Sequence, residues 1–354
     1  MFSNKYLNLI AIVSLTATAT VSAHNTLGNW ENDRVVLCAT ASFPDGHPMR
    51  DALQDCVDHF LYQPSNAYFH LEYTGATTAA LSNGKSEVWV SANSSFSPAM
   101  CIYDMVGSCI VEADVVFYGS VSWTSSRTAS SIWSYGGAHR PFRTTAMHEL
   151  GHALGLDHED SEYNIMGQDW THITRNGGLY RAHLGEDASD GLVSIYDRYF
   201  IDLEDLGVSS FRRTGSAGPY SWHGQCRFRT VSGGSVPFEI DHQGQRRYHV
   251  ERGKNYLVEF TFENNGTNEQ HEVDLSYWVS TNSYISDADQ LLRPAQLHSL
   301  DRDNVDTRSM RIRIPYNLTV LQRYWVGVTV DSSGEVAETC ETNNAASHMI
   351  RVVN

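Results

Sequence analysis

The stretch AMHELGHALGLDHEDSEYNIMG, residues 146–167, carries three histidines, at positions 148, 152 and 158. His148 and His152 are four residues apart, so on a helix both imidazoles lie on one face and can reach a single metal ion. Gly155 predicts a left-handed helix end that turns the chain back and brings in His158. Three imidazoles with one open position are typical of catalytic zinc, because a purely structural zinc site takes four protein ligands.

Glu149 is the candidate catalytic group of this stretch. Because it is adjacent to His148, it cannot take the same coordination direction, yet it can reach a water bound to the metal and act as a general base. HExxH motifs arise by chance, but the additional Gly155 and His158 at fixed positions make chance a poor explanation. For Met166, further along, ordinary core packing is an alternative, since methionine fills gaps readily.

The composition predicts a folded globular protein and argues against nucleic-acid binding. With 354 residues, 41% of them hydrophobic, the chain can form one large or two ordinary domains. Its 41 acidic side chains outnumber 25 basic ones, whereas binding to phosphates needs clustered Lys and Arg. Calcium is a second candidate cofactor, because an acidic surface suits it. Four acidic residues could support a metal, although a solvated turn is the favoured alternative: Asp157, Glu159, Asp160 and Glu162.

Residues 1–23 are typical of a secretory signal peptide. They contain one basic residue, Lys5, an apolar run at 7–15 and a small-residue ending at 21–23. The apolar run is shorter than the roughly 20 residues that a spanning helix needs. We therefore predict cleavage after Ala23, a secreted extracellular protein and no membrane span.

Export makes disulfide bonds the default expectation for the six cysteines. Six cysteines allow many pairings, and pairing by proximity along the sequence favours three bonds: Cys38 with Cys56, Cys101 with Cys109, and Cys226 with Cys340.

The elements predicted before the histidines are a strand, a helix and further strands. Residues 33–40 are apolar and β-branched, which predicts a strand. A helix follows, because apolar residues recur at helical spacing: Met49, Leu53, Val57 and Phe60. Three more extended runs come next, at 67–73, 86–92 and 113–123. The Ser- and Gly-rich stretch 124–141 predicts a surface loop.

HELGHALGLDH resembles the HExxHxxGxxH signature of the metzincin metalloendopeptidases. Its residues are most similar to those of the matrixin branch. The resemblance implies that His148, His152 and His158 bind zinc, that Glu149 is the general base, and that Met166 forms the Met-turn beneath the metal. It also implies a metzincin-type catalytic domain at residues 24–205, with a mixed, mostly parallel sheet and three helices. Residues 185–200 resemble the closing helix, with four inner-face residues: Leu192, Ile195, Tyr196 and Tyr199.

Several positions depart from the matrixin pattern. Gly167 and Gln168 follow Met166, where a matrixin typically has a Tyr-Pro pair and an astacin-like enzyme has a tyrosine two residues on, so a fifth tyrosine ligand is not expected. Neither a propeptide of useful length nor a cysteine switch precedes the domain, which leaves the control of latency open. Three nearby histidines are expected to lie on the surface: His139, His172 and His183.

The sequence predicts only strands in the second half of the chain. A Gly- and Ser-rich stretch at 206–219 predicts a linker and a first strand, and alternating apolar and polar runs between Asn/Gly turns predict an all-β immunoglobulin-like sandwich at 220–354. VEFTFENNGT (258–267) and VTVDSSGEVAETCETNN (328–344) resemble the CARDB type of adhesion-related sandwich. Binding to a surface or matrix and a plain spacer role are both open for it.

These predictions combine into an α+β chain that is a secreted zinc endopeptidase, in which Glu149 is the base for a zinc-bound water. The expected substrate is a protein or glycoprotein, the sandwich has a surface or matrix ligand as a possible partner, and the chain is expected to be a monomer. The alternative is an adhesion protein that uses the sandwich, with a protease domain of narrow substrate range.

Overall fold

The architecture comes from a computed structural model that describes residues 24–93, 95, 97–128, 139–302 and 304–354. The predicted signal peptide at 1–23 lies outside the described residues, as does most of the predicted surface loop at 124–141. In the part of the chain that is described, no helix is long and apolar enough to cross a membrane.

The first half contains the three helices of the described chain and nine strands. Their order is β1 (Arg34–Ala39), α1 (Pro48–Phe60), β2 (Tyr68–Tyr73), β3 (Glu87–Ser91), β4 (Ala99–Val106), β5 (Cys109–Tyr118), β6 (Trp123–Thr124), β7 (Arg140–Pro141), α2 (Phe142–Ala153), a 3₁₀ turn (Asp169–Thr171), β8 (Ile173–Asn176), β9 (Leu179–Ala182) and α3 (Glu186–Tyr196).

Five of these strands form a mixed, mostly parallel sheet in the order β2-β1-β3-β5-β4. Only β4 runs antiparallel to its neighbour, β5, and within the described residues no strand pairs with its other edge. The sequence did not predict β4, because its residues are mostly half-buried and show no clean apolar and polar alternation. The other predicted strands of this half are present.

Helix α1 forms where the apolar spacing predicted a helix. Pro48 occupies the first turn, and the His47 ring accepts a hydrogen bond from the Met49 backbone N–H. Leu53 and Phe60 are fully buried against the sheet. The helix therefore covers one face of the sheet and packs against α2.

The second half is built from strands alone, as predicted, in every part that is described. They are β10 (Leu206–Ser209), β11 (Phe211–Ala217), β12 (Tyr220–Gln225), β13 (Phe228–Thr230), β14 (Phe238–Ile240), β15 (Arg246–Glu251), β16 (Asn255–Asn264), β17 (Gln270–Ser280), β18 (Gln290–Leu300), β19 (Asp306–Arg313), β20 (Arg323–Val330) and β21 (Ala345–Val353).

Two sheets enclose the core of this half. In one, β16 pairs with β19 along one edge and with β13 and β10 along the other. The other has the order β14-β15-β21-β20-β17-β18. Fully buried side chains such as Phe260, Tyr277, Val326 and Ile350 fill the space between them. Apolar burial between two sheets is the source of stability that such a sandwich requires.

The stretch at 206–219, expected to be a linker and a first strand, contains two strands. β10 pairs with β16, with Leu206 opposite Asn264, and so belongs to the sandwich sheet. β11 pairs with β12 as a hairpin that reaches back to the first half. The division of the chain into domains stays a prediction.

The predicted disulfides are wrong for this structure, in which all six cysteines are free. The β4–β5 register explains one case, because Cys109 lies opposite Val106 while Cys101 lies opposite Val115. Five residues of strand therefore separate the two cysteines along β4, a distance of about 16 Å that no disulfide can span.

The other predicted pairs also have different neighbours. The Cys56 thiol donates to the Arg143 carbonyl across the contact between α1 and α2, at 3.3 Å. Cys226 lies against the Thr261 hydroxyl at 3.7 Å, and Cys340 lies against its own neighbour Thr342. Proximity along the sequence was therefore a poor guide to proximity in space.

Candidate metal centre

The three histidines of the opening stretch converge at one point. The Nε2 atom of His152 lies 3.2 Å from that of His148 and 3.0 Å from that of His158. Helix α2 presents the first two on one face, as the spacing predicted. Gly155 follows the helix with φ of +93°, so the chain turns as expected and carries His158 back to the helix.

Hydrogen bonds fix which ring nitrogen is free. The Nδ1–H of His148 donates to the Ile165 carbonyl at 2.8 Å, and that of His152 donates to the Leu156 carbonyl at 2.7 Å. The Nε2 lone pairs consequently face one another. Burial and the neighbouring His148 ring lower the pKa of His158 to about 4. Neutral imidazoles whose lone pairs converge are the donor set that Zn²⁺ requires.

Residues near the N-terminus hold the turn that carries His158. The Leu27 N–H donates to the Gly155 carbonyl, and the Asp157 N–H donates to the Asn25 carbonyl, at 2.7 and 2.9 Å. The Asn25 amide donates to the His158 carbonyl at 3.0 Å. The sequence showed no sign of this role, since nothing in 25–27 resembles a motif.

Met166 packs beneath the histidines against helix α2. A Cβ atom on Gly151 would lie 2.6 Å from the Met166 sulfur, so the glycine inside HELGH leaves the space that the thioether fills. The methionine is buried in the core of the first half. The role of Met166 as a Met-turn stays a prediction, because ordinary core packing describes the same contact.

Glu149 lines a cavity beside the histidines. The cavity has a volume of about 430 Å³ and is also lined by Pro98, Gln168, and Tyr220. Burial, and to a smaller extent the negative charge of Asp169, raises the pKa of Glu149 to about 7, against the opposing effect of His148. The carboxyl group therefore borders the cavity, and its pKa lies in the range that suits a general base.

A buried ion pair ties the start of α2 to the segment after Met166. Arg140 donates to the Asp169 carboxylate at 2.7 Å, and the Thr145 hydroxyl donates to the same group at 2.6 Å. The pKa of Asp169 is lowered, because the positive charge of Arg140 and these hydrogen bonds outweigh its burial. The pair fixes one wall of the cavity.

The hairpin formed by β11 and β12 supplies the opposite wall, which the sequence did not predict. The Ser221 N–H donates to the Glu159 carbonyl, and the Gln168 N–H donates to the Ser221 carbonyl, at 2.6 and 3.0 Å. Tyr220 then lies with its ring centroid 4.2 Å from that of His158. The sequence alternates aromatic and small residues at Tyr220, Ser221 and Trp222, but the predicted division places these residues at the start of the sandwich.

Two of the three histidines predicted to be on the surface are buried. His139 is exposed, whereas His172 and His183 are 0% and 4% exposed. Both lie where the first half meets the sandwich, so a sequence pattern within one half could not reveal their burial. Of the acidic residues near His158, Glu159 is also buried and accepts from Ser161.

Residues 85–197 match the family model described as Matrixin, and residues 238–348 match the model described as CARDB. The chain is matrixin-like and carries a C-terminal CARDB-like domain. The matrixin match contains every residue of the metal centre except the N-terminal supports and the hairpin with Tyr220.

The solved structures that match this matrixin-like chain have low sequence identity to it and low TM-scores. A CARDB domain from Pyrococcus furiosus has 16% identity and a TM-score of 0.27, covering 44% of this chain and 98% of its own. A Niemann-Pick type C2 protein from the Japanese carpenter ant has 8% identity and a TM-score of 0.22, covering 36% and 92%. No curated protein matches significantly. The metzincin-type catalytic fold stays a prediction.

Proposed function

We propose that this chain is a secreted zinc-dependent endopeptidase. The observation that carries the proposal is the set of three converging Nε2 atoms beside a buried glutamate that lines an open cavity. The match to the Matrixin family supports the same conclusion, because it indicates a metallopeptidase. Secretion rests on the signal-peptide pattern of residues 1–23.

His148, His152 and His158 would hold the zinc ion. When bound, zinc would act as a Lewis acid that polarises a peptide carbonyl and makes a coordinated water more acidic. The backbone carbonyls of Ile165 and Leu156 orient two of the rings by accepting their Nδ1–H groups. This support keeps the lone pairs aimed at one point.

Glu149 would move the proton during hydrolysis. Its carboxylate takes a proton from the attacking water and then passes it to the nitrogen of the leaving amine. The Cys101 backbone N–H, on strand β4, hydrogen-bonds to this carboxylate and holds it towards the cavity. Met166 supports the helix from below and takes no part in the proton transfers.

The substrate would be an extended segment of a protein or glycoprotein. β4 is the edge strand of the sheet, and Ser97 and Pro98 just before it line the cavity. A peptide could add to this edge by main-chain hydrogen bonds, in the manner of strand addition. The Tyr220 and Trp222 rings would then contact its side chains from the opposite wall.

The CARDB-like domain is proposed to bind a surface or matrix ligand or to select the substrate. The CARDB family match supports an adhesion-like role. An adhesion protein with a protease domain of narrow range is the second candidate function, and calcium would be an additional cofactor in either case.

The proposed activity is tested with purified protein and denatured casein. We expect peptide hydrolysis that is lost after chelation and is restored when zinc is added back. Hydrolysis at an unchanged rate in fully chelated protein would contradict the proposal. Zinc-loaded protein without hydrolysis would favour the adhesion function.

A further inference from the structure

A second cluster of potential metal ligands lies where the two halves of the chain meet. His172 follows the 3₁₀ turn, His183 follows β9, and Glu263 lies near the end of β16 in the sandwich. Their ligand atoms all lie within 4.8 Å of one another. All three side chains are buried, with exposed fractions of 0%, 4% and 1%.

Five polar atoms of this cluster have no hydrogen-bond partner in the described structure. These are His172 Nε2, both ring nitrogens of His183, and both carboxylate oxygens of Glu263. An unpaired buried carboxylate is costly, because it loses its hydration without compensation. A native fold that buries five unpaired polar atoms together requires an explanation.

One hydrogen bond determines the tautomer of the neutral His172 ring. Its Nδ1–H donates to the His183 carbonyl at 3.0 Å, so the neutral ring has a lone pair at Nε2. That lone pair faces Glu263 Oε1 at 3.4 Å. Two acceptors that face each other repel, unless a cation or an added proton lies between them.

The distances favour a cation over an added proton. An imidazolium that donates to a carboxylate closes to about 2.7–2.9 Å, whereas His172 and His183 lie 3.4 and 3.6 Å from the two oxygens of Glu263. Ligand atoms around a tetrahedral Zn²⁺, each at about 2.0–2.1 Å from the ion, lie about 3.3 Å from one another. The two histidine–carboxylate separations are near this spacing, and all the ligand atoms lie within 4.8 Å of one another.

The geometry points to a second metal site, formed by His172, His183 and Glu263, that holds a divalent ion of the zinc class between the two halves of the chain. Different oxygens of Glu263 face the two imidazoles, so the carboxylate can bind the ion through one oxygen or both. A Cβ atom on Gly185 would lie 2.7 Å from His172 Nε2, so the glycine keeps space beside that ligand atom.

This site has a structural role that is independent of peptide hydrolysis. Two ligands come from the matrixin-like part and the third comes from β16, so the ion crosslinks the sandwich to the first half. Glu263 lies opposite Gly207 of β10, and the hairpin with Tyr220 follows β10 directly. Loss of the ion would therefore loosen the junction from which the hairpin extends.

The test is a metal count on purified protein by elemental mass spectrometry, and it needs no activity assay. A His148→Ala and His152→Ala double variant removes the active-site ligands and should retain about one zinc per chain, whereas wild type should hold about two. Adding Glu263→Gln to the double variant should reduce the count to nearly zero. The matched control is Glu259→Gln, a buried carboxylate on the same strand that pairs with Arg212 and Arg229.

A double variant that is folded but holds no metal would overturn the second site. The second site would also be overturned if the double variant retained zinc and the zinc count did not change when Glu263→Gln was added to it. If Glu263→Gln does not fold, His183→Gln tests the same assignment, and the count in the double variant still decides whether a second ion exists. Chelation should also lower the melting temperature of the double variant, because an ion that binds only the native state stabilises it. These results do not depend on whether the protein is a peptidase.

Discussion

The Tyr220 ring lies 4.2 Å, centroid to centroid, from the ring of His158, although the two residues belong to different halves of the predicted domain division. The same tyrosine is 6.3 Å from His148 and is 38% exposed towards the cavity. The candidate active site is therefore completed by a hairpin that follows the matrixin-matched segment. This relationship places the hairpin beside the proposed substrate-binding surface.

Replacing Tyr220 by alanine should weaken peptide binding. Loss of an aromatic contact of about 1 kcal/mol corresponds to a rise in KM of roughly five-fold with a smaller change in kcat. Tyr220→Phe keeps the ring and should stay close to wild type. Peptide kinetics measure both, with Tyr62→Ala, at an exposed tyrosine in the turn after α1, as the control. Equal KM values for Tyr220→Ala and wild type would remove the hairpin from the substrate site.

Gly151→Ala should disturb the metal centre by overpacking. The new methyl group would lie 2.6 Å from the Met166 sulfur, and overpacking of this kind costs about 1–3 kcal/mol. We expect a lower melting temperature and weaker zinc retention. Gly178→Ala is the matched control, because a Cβ there meets nothing within 4 Å. The contact would be unimportant if both variants had the same melting temperature as wild type.

Asp187 should make stability depend on pH. Burial, followed by the charge of Glu159, raises its pKa to about 8, with smaller contributions from Glu162 and Asp190 and an opposing hydrogen bond from Asn164. The folded protein thus holds a proton that the unfolded chain releases above about pH 4. The free energy of unfolding consequently falls as the pH rises towards 8.

The Asp187→Asn variant isolates this effect, because the amide oxygen can still accept from Asn164 and carries no titrating proton. Its stability relative to wild type should increase between pH 5 and pH 8, by at least ~1 kcal/mol. Denaturant unfolding at several pH values measures the difference. Asp45→Asn, at a fully exposed side chain, is the control. A difference that is constant with pH would show that Asp187 has an ordinary pKa.

Local sequence patterns predicted the elements whose residues interact with near neighbours. The spacing of Leu53 and Phe60 predicted α1, and the spacing of His148 and His152 with Gly155 predicted α2 and its turn. These features depend on helical periodicity and on one glycine conformation, which are local properties.

The features that the sequence did not predict depend on long-range packing. The burial of His172 and His183 arises from the sandwich covering them, and the position of Tyr220 arises from a hairpin docking on residues 159–168. β4 was missed because it is a half-buried edge strand, and the cysteine pairs were wrong because strand register separates Cys101 from Cys109. Patterns read along one segment contain none of this information.

The most direct test of the proposed activity is casein hydrolysis by Glu149→Ala, measured together with its zinc content. Because Glu149 is assigned to proton transfer and not to metal binding, we expect zinc to be retained and turnover to fall by about 10²- to 10⁴-fold. Glu31→Ala, at an exposed glutamate, should behave as wild type. A zinc-loaded Glu149→Ala protein with near-normal hydrolysis would contradict the account.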